Sequence, residues 1–101
     1  MVYAYIQNVP IGEDVYRRII DEIGPDPLAG GLLHLCLREA DGKLRYIDVW
    51  ESEEACARAF EERIHPAVNV AFGGQRPSEE PTVHHLDVLH ASGSLLPTSW
   101  S

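Results

Sequence analysis

Hydrophobic positions along the chain change their spacing several times, and each change predicts a new element. Residues 2–9 combine aromatic with β-branched side chains, as strands do. Residues 13–23 instead repeat hydrophobic side chains at helical spacing, which predicts a helix; these are Val15, Tyr16, Ile19, Ile20 and Ile23. Gly24 and Pro25 then supply the residues that commonly end a helix.

The middle of the chain predicts a hairpin that leads directly into a second helix. Residues 32–39 and 43–50 are predicted strands, joined by a turn short enough to make them antiparallel. Ser52 follows at once and is a typical N-cap, so the strand is expected to turn straight onto a helix that runs to Ile64.

The remaining residues predict a short helix, a fourth strand and a tail. Pro66 either ends the second helix or begins a short one over residues 66–72. Residues 82–91 are predicted to form the last strand. The order β-α-β-β-α-β predicts an α+β, ferredoxin-like fold, with a four-stranded antiparallel sheet and its helices on one face. We expect one domain over residues 1–92 and a weakly ordered C-terminal tail over 93–101.

The hairpin turn determines which side chains face each other across the two middle strands. A three-residue turn, Ala40-Asp41-Gly42, with Gly42 in the left-handed region fixes the register. The predicted pairs are Glu39–Lys43, Leu37–Arg45, Leu35–Ile47 and Leu33–Val49 on one face, and Cys36–Tyr46, His34–Asp48 and Leu32–Trp50 on the other. A turn one residue longer or shorter would move one strand's side chains to the opposite face.

One face of this hairpin is therefore aliphatic, whereas the other is aromatic and polar. His34 opposite Asp48 could be an imidazole held by a carboxylate and used as a general base. The alternative is a buried histidine whose ring is merely hydrogen-bonded for packing. Trp50 could line a pocket or belong to the core, and Tyr46 could bind a ligand or lie at its rim. If the helices cover this mixed face, it forms a pocket with a few placed polar groups.

Charge and cysteine content narrow the classes of function. The 101 residues carry sixteen acidic and eight basic side chains, a formal net charge of −8. This argues against binding to nucleic acid and to anionic membrane surfaces, since both need clustered lysine and arginine. Cys36 and Cys56 are too few for a disulfide framework, and we expect reduced core residues. Without a signal peptide or a membrane-spanning run, the expected location is the cytoplasm.

The histidines near the C-terminal end do not predict a metal site. In a strand, His84 and His90 would lie about 20 Å apart at 3.3 Å per residue, so they cannot share an ion. His85 and Asp87 would lie on the other face, where they could border the pocket. We therefore expect no metal here, and neither a Walker A nor a GxGxxG motif points to a nucleotide cofactor.

The segment 30–70, and within it "DVWESEEA", resembles the antibiotic biosynthesis monooxygenase-like proteins of the dimeric α+β barrel superfamily. This resemblance implies a homodimer in which two sheets pack face to face, with an interior formed by Leu33, Leu35, Ile47 and Val49. It also implies a cavity between sheet and helices for a small aromatic, polyketide-type substrate. Catalytic members oxidise such a substrate with O₂ and without a cofactor.

On this resemblance, the residues expected to act fall on the mixed face. We expect His34 as the base, oriented by Asp48, with substrate contacts from Trp50, Tyr46, Tyr16, His85, Cys36 and Asn8. Haem-degrading relatives share the "VWES" turn. Their functional tryptophan and haem-ligating histidine align with Ala59 and Asn69, which disfavours haem degradation. A non-oxidative polyketide cyclase-type enzyme and a non-catalytic dimeric binding protein remain alternatives.

Overall fold

The computed structural model describes residues 2–74, 81–93 and 99–100. The predicted elements are present in the predicted order, and the second helical region is divided into three continuous parts. The elements are β1 (Tyr3–Val9), α1 (Glu13–Ile23), β2 (Gly31–Arg38), β3 (Leu44–Trp50), α2 (Glu53–Ala59), a π-helical turn (Phe60–Ile64), α3 (His65–Ala71), β4 (Thr82–Leu86), β5 (His90–Ala91) and β6 (Ser99–Trp100).

Four of the strands form one antiparallel sheet in the order β2-β3-β1-β4. The helices lie over the face that carries Tyr5, Asp48 and Trp50, which are all buried. The ferredoxin-like α+β fold is thereby confirmed. Because β2 and β4 are the edge strands, side chains on β2 are only half covered by the helices above them.

The predicted hairpin register is confirmed from its turn to the Leu33–Val49 pair. The backbone N–H of Glu39 donates to the carbonyl of Lys43 at 2.8 Å, and the N–H of Gly42 donates back to Glu39 at 2.9 Å. Gly42 has φ +86°, the left-handed conformation that the three-residue turn requires. The Asp41 carboxylate adds a bond from the backbone N–H of Lys43 at 2.9 Å.

The predicted Leu32–Trp50 pair is wrong, because β2 contains a bulge at its start. Gly31 lies opposite Trp50, and the register shifts between Gly31 and Leu33. A Cβ on Gly31 would lie only 3.2 Å from the Leu28 carbonyl and 3.5 Å from the indole ring. A glycine therefore lets the backbone pass close to the tryptophan, while the extra residue Leu32 is taken up by the bulge.

The second helical region continues through Pro66 instead of breaking there. The N–H of His65 bonds to the carbonyl of Phe60, five residues earlier, which is the spacing of a π-helix. Proline in a helix lacks an N–H and crowds the preceding turn. The wider turn just before Pro66 accommodates this, and Pro66 then occupies the first turn of α3.

The last predicted strand is shorter than expected. β4 ends at Leu86 instead of residue 91, and His90 and Ala91 pair with Ser99 and Trp100 in a separate two-stranded sheet. Part of the predicted tail thus pairs with the end of the predicted domain. Residues 94–98 and 101 of the predicted tail lie outside the described residues.

The core is divided into two clusters on the helix-covered side of the sheet. One contains Tyr5, Trp50, Cys56 and Ala59, with Phe60 and Ile64 packed against it. The other contains Ile11, Ile19 and Leu44, together with Tyr16, Tyr46, Val68 and Phe72. The division leaves room between the clusters for a cavity.

Arg63, in the π-helical turn, fastens the end of α1. Its Nη1 donates to the Pro27 carbonyl at 2.9 Å, and its Nη2 donates to the carbonyls of Ile23 and Asp26 at 2.8 and 3.0 Å. The last turn of α1 has no basic residue of its own. A cation from the neighbouring helix therefore compensates the negative end of the α1 dipole and satisfies its free carbonyls.

Gly30 is expected to tolerate substitution much less well than Gly24. Both have positive φ, +82° and +85°, so alanine would be strained at either position and should cost about 1–3 kcal/mol of unfolding free energy. At Gly30 the new Cβ would also lie 2.5 Å from the Cβ of Ala55, whereas Gly24 faces open space. We expect this overlap to cost about 1–3 kcal/mol more. Urea unfolding of Gly30→Ala and Gly24→Ala measures the difference, and equal losses would contradict the packing explanation.

Candidate functional site

A cavity of about 510 Å³ lies between the sheet and the helices, flanked by the two core clusters. Most of its lining is hydrophobic, and its polar side chains come mainly from β1 and β3, the two central strands of the sheet. The polar and aromatic lining residues are Tyr5, Gln7, Tyr16, His34, Tyr46, Asp48, Trp50, Phe60, His65 and Phe72. Among the lining residues of the described chain there is one carboxylate, and there is no lysine or arginine.

His34 and Asp48 form the central polar contact of this cavity. They are cross-strand partners on β2 and β3, and His34 Nδ1 lies 2.5 Å from Asp48 Oδ1. The Asp48 side chain is 8% exposed and the His34 side chain is 42% exposed. The carboxylate is therefore held inside, where it can fix the ring, and the imidazole lies at the open edge of the sheet, where it can exchange protons.

Tyr16 completes a hydrogen-bonded chain with this pair. Its hydroxyl lies 2.9 Å from His34 Nε2, so α1 contributes the group on the other side of the ring. When the imidazole is neutral and its Nδ1–H donates to Asp48, Nε2 accepts the hydrogen of Tyr16. The Tyr16 and His34 rings are nearly parallel, at 17°, and Tyr46 contacts both.

Trp50 belongs to the core and lines the cavity as well. It is 4% exposed, and its Nε1–H donates to the Tyr5 hydroxyl at 3.2 Å. The Cys56 thiol lies 3.9 Å from the same oxygen. Both interpretations of Trp50 thus hold, since one side of its ring is packed and the rest of it forms part of the cavity wall.

Burial keeps the phenols of this region protonated. It raises the pKa of Tyr16 to about 12, and the negative charges that Cys36 and Asp48 can carry add to the effect. The pKa values of Tyr5 and Tyr46 are also raised, again mainly by burial. These residues therefore act as neutral hydrogen-bonding groups at physiological pH.

Three of the predicted site residues do not line the cavity. Cys36 lies on the helix-covered face but packs against Tyr16 and Tyr46, and burial raises the pKa of its thiol. His85 lies on the edge strand β4, where its Nδ1 is 3.0 Å from the Tyr3 hydroxyl. Asn8 points to the opposite face of the sheet, because the alternation of β1 directs Tyr5 and Gln7 inward and Asn8 outward.

Asn8 instead takes part in polar contacts on the uncovered face. Its Oδ1 accepts a hydrogen bond from Arg45 Nε at 3.1 Å, and its Nδ2 donates to the Thr82 hydroxyl at 3.3 Å. In this structure Asn8 therefore does not face the cavity. Nothing about Asn8 itself reveals this. Only the structure, in which Tyr5 and Gln7 line the cavity, shows that the strand directs Asn8 to the other face.

The polar and aromatic lining residues that sequence reasoning missed are Tyr5, Gln7, Phe60, His65 and Phe72. Tyr5 and Gln7 could have been found, because they alternate with Asn8 along a predicted strand. Phe60 lies in the predicted helix that follows Ser52, and the sequence gives no sign of a role at the cavity. The position of His65 depends on the π-helical turn, for which the sequence offers only the indirect signal of Pro66.

Two kinds of arrangement are absent from the described part of the chain. No group of three or more histidine, cysteine, aspartate or glutamate side chains is placed to hold a metal ion. No helix there has the length and apolar character needed to cross a membrane.

Comparison with known proteins identifies the fold. No family model matches the sequence, and no curated protein matches it. Solved structures do resemble it. A candidate antibiotic biosynthesis monooxygenase from Caulobacter crescentus CB15 superimposes with a TM-score of 0.65 at 14% identity, over 86% of this chain and 89% of that one.

Two further structures have the same architecture. A variant of SnoaB, described as a cofactor-independent oxygenase from Streptomyces nogalater, gives a TM-score of 0.59 at 18% identity, covering 89% of this chain and 94% of that one. Rv0793 from Mycobacterium tuberculosis gives 0.63 at 16% identity, over 91% and 98%. The fold is thus that of the antibiotic biosynthesis monooxygenase-like proteins, in agreement with the resemblance noted in residues 30–70.

The Tyr16 hydroxyl is expected to titrate far above the ordinary range for tyrosine. The absorbance of tyrosinate, followed from pH 9 to 12.5 in wild type and in Tyr16→Phe, gives the contribution of Tyr16 by difference. Because burial raises its pKa to about 12, the difference should be small near pH 10 and should grow toward pH 12. In urea the same difference should appear near pH 10. A folded-state midpoint near 10 would show that this hydroxyl is exposed to water.

The same raised pKa makes folding less favourable at high pH. Since the folded pKa lies above the unfolded one, the contribution of Tyr16 to stability is complete below about pH 10. It is lost as pH rises from there toward about 12. Tyr16→Phe should therefore lose unfolding free energy less steeply over this interval than wild type does.

Proposed function

We propose that this protein is a small cofactor-independent enzyme that oxidises an aromatic substrate with O₂ in the cavity between sheet and helices. The observation that carries the proposal is the His34–Asp48 contact of 2.5 Å inside a largely hydrophobic cavity of about 510 Å³. An oriented imidazole beside an apolar space suits proton removal from a flat, weakly acidic ligand. The fold likeness to SnoaB supports oxygen as the second reactant.

His34 acts as the base in this proposal, and Asp48 acts as a positioning residue. Asp48 holds Nδ1–H and favours the imidazolium that forms when Nε2 takes a proton. Nε2 is occupied by the Tyr16 hydroxyl in the free protein. The acidic group of the substrate therefore either replaces Tyr16 on this nitrogen or sends its proton through Tyr16. Trp50 and Tyr46 form cavity walls against which an aromatic ring can pack.

The reaction balances without another electron donor. For a methylene group between two aromatic rings, proton removal gives an electron-rich anion that reduces O₂ directly. A C–O bond then forms, and loss of water from the resulting hydroperoxide leaves a ketone. The sum is one CH₂ group and one O₂ giving one C=O and one H₂O. The contribution of the protein is the base, the orientation of the ring and a largely hydrophobic cavity that holds it.

A non-oxidative cyclase-type reaction is the second candidate, and a specific feature favours it. The feature in its favour is the oriented base, His34 held by Asp48, which is the group that such a reaction needs. An intramolecular carbon–carbon bond formation needs only proton removal and a folded substrate. Oxygen dependence separates the two reactions.

The enzyme should consume O₂ with an anthrone as substrate, and His34→Ala should lower kcat by about 10²- to 10⁴-fold because the general base is lost. An oxygen electrode and the absorbance of the quinone product measure both quantities. His90→Ala is the matched control, since His90 is exposed and lies outside the cavity lining. Chelators should not slow the wild type.

Three outcomes would contradict the proposal in different ways. A near-normal rate for His34→Ala would reject the base. A requirement for added iron would reject the cofactor-free reaction. Equal conversion without oxygen would reject the oxygenase and support the cyclase.

We also propose that the protein is a homodimer formed by its uncovered sheet face. On this face Leu35, Leu37 and Leu86 are 43%, 40% and 40% exposed. Their neighbours on the same face include Leu33, Ile47 and Val49, so the exposed patch is continuous. Patches of this kind on a soluble chain mark interaction surfaces. A second copy is the occupant that the resemblance implies, because two such sheets can pack face to face.

Leu35→Asp is expected to convert the dimer to a monomer, because it would bury a carboxylate without a partner in the interface. Ala57→Asp adds the same charge at an exposed position on α2 and should leave the dimer intact. Light scattering after size-exclusion chromatography gives the mass of each. A monomeric wild type, or a dimeric Leu35→Asp, would contradict the proposed interface.

A further inference from the structure

The π-helical turn places two side chains of the helical wall on the cavity. In an α-helix, residues five apart point in clearly different directions, whereas a turn with five-residue hydrogen bonding brings them close to alignment. Here the N–H of His65 bonds to the Phe60 carbonyl, and the two rings meet edge-to-face with centroids 5.4 Å apart. Both residues line the cavity.

His65 belongs to a different part of the cavity from His34. Phe60 packs against the cluster of Tyr5 and Trp50, and its ring lies 6.4 Å from the indole. His34 contacts Tyr16 and Tyr46, which pack against the other cluster. A flat ligand that spans the cavity would therefore meet one imidazole near each cluster.

The two histidines also differ in what their ring nitrogens already bind. Both nitrogens of His34 have protein partners, Asp48 and Tyr16. His65 contacts the Phe60 ring, and neither of its nitrogens has a hydrogen-bond partner among the described residues. An imidazole at the rim of an apolar cavity with both nitrogens available can bind a polar group of a ligand.

We propose that His65 is a second ligand-binding residue of this cavity, which hydrogen-bonds a hydroxyl or carbonyl at the end of an aromatic ligand away from His34. The π-helical turn is the feature that brings it there. The inference rests on the proposed function in that both use the same cavity, and it narrows the substrate to aromatic molecules with polar groups at both ends. The lack of lysine and arginine in the described lining further favours uncharged polar groups over carboxylates and phosphates.

Binding of two uncharged probes tests this without any turnover. Naphthol has one hydroxyl, and a naphthalenediol with one hydroxyl on each ring has two. Isothermal titration calorimetry on the full chain should show that the diol binds more tightly than naphthol. His65→Phe keeps an aromatic ring and removes the hydrogen bond, so it should weaken diol binding by roughly threefold to tenfold. Naphthol binding should change less than about twofold, since a single hydroxyl does not need this contact.

Two further variants make the result specific. His65→Gln can still donate and accept, so it should retain most of the diol affinity. Asn69→Leu changes a polar residue one turn further along α3, outside the cavity lining, and should change neither affinity. Circular dichroism confirms that each variant is folded.

The possible failures are distinguishable. Equal affinity of the two probes for wild type, or an equal effect of His65→Phe on both, overturns the role of His65 while leaving His34 and the oxygenase reaction intact. Failure of both probes to bind wild type overturns this inference and the proposed aromatic site together. Loss of oxygen uptake in His34→Ala with the predicted binding pattern at His65 supports both.

Discussion

The register of the central hairpin is the constraint on which the site depends. The three-residue turn with Gly42 at φ +86° fixes which residues of β2 and β3 face each other. With this register His34 and Asp48 share the helix-covered face, and the aliphatic side chains share the other. A slip of one residue on one strand would separate the imidazole from the carboxylate by the thickness of the sheet. A turn far from the cavity thus determines whether the cavity contains a base.

Much of the fold and part of the site follow from sequence because they depend on local rules. Alternation and turn chemistry predict the hairpin, its two faces and the His34–Asp48 pair. The prediction of a Leu32–Trp50 pair was wrong because the bulge depends on close packing between Gly31 and the Trp50 ring of the neighbouring strand. The predicted end of the last strand was wrong because the alternation of hydrophobic residues continues to His90, whereas the pairing with β1 ends at Leu86.

The helical wall of the cavity was harder to predict for a similar reason. Helical periodicity assumes a constant turn, so one wider turn moves every later residue around the axis. Pro66 signals a disturbance but does not say whether the helix breaks, bends or widens. Nothing in the sequence distinguishes His65 from other exposed residues, and its place in the cavity lining appears only in the structure. The two imidazoles of the cavity are thus positioned by different means, one by a strand register and one by a helix irregularity.

Arg63 lies outside the cavity lining, yet it fixes the separation between the helices that cover the cavity. A single guanidinium holds three carbonyls at the end of α1 and in the loop before β2. Arg63 therefore holds the end of α1 close to the second helical region, although it does not line the cavity itself. An engineer who wished to admit bulkier ligands could vary this side chain and keep the proton-transfer groups untouched. Lysine at this position would preserve the charge but would offer a single nitrogen in place of the planar guanidinium. The helices that cover the cavity would then be held less tightly, while the sheet beneath them stayed unchanged.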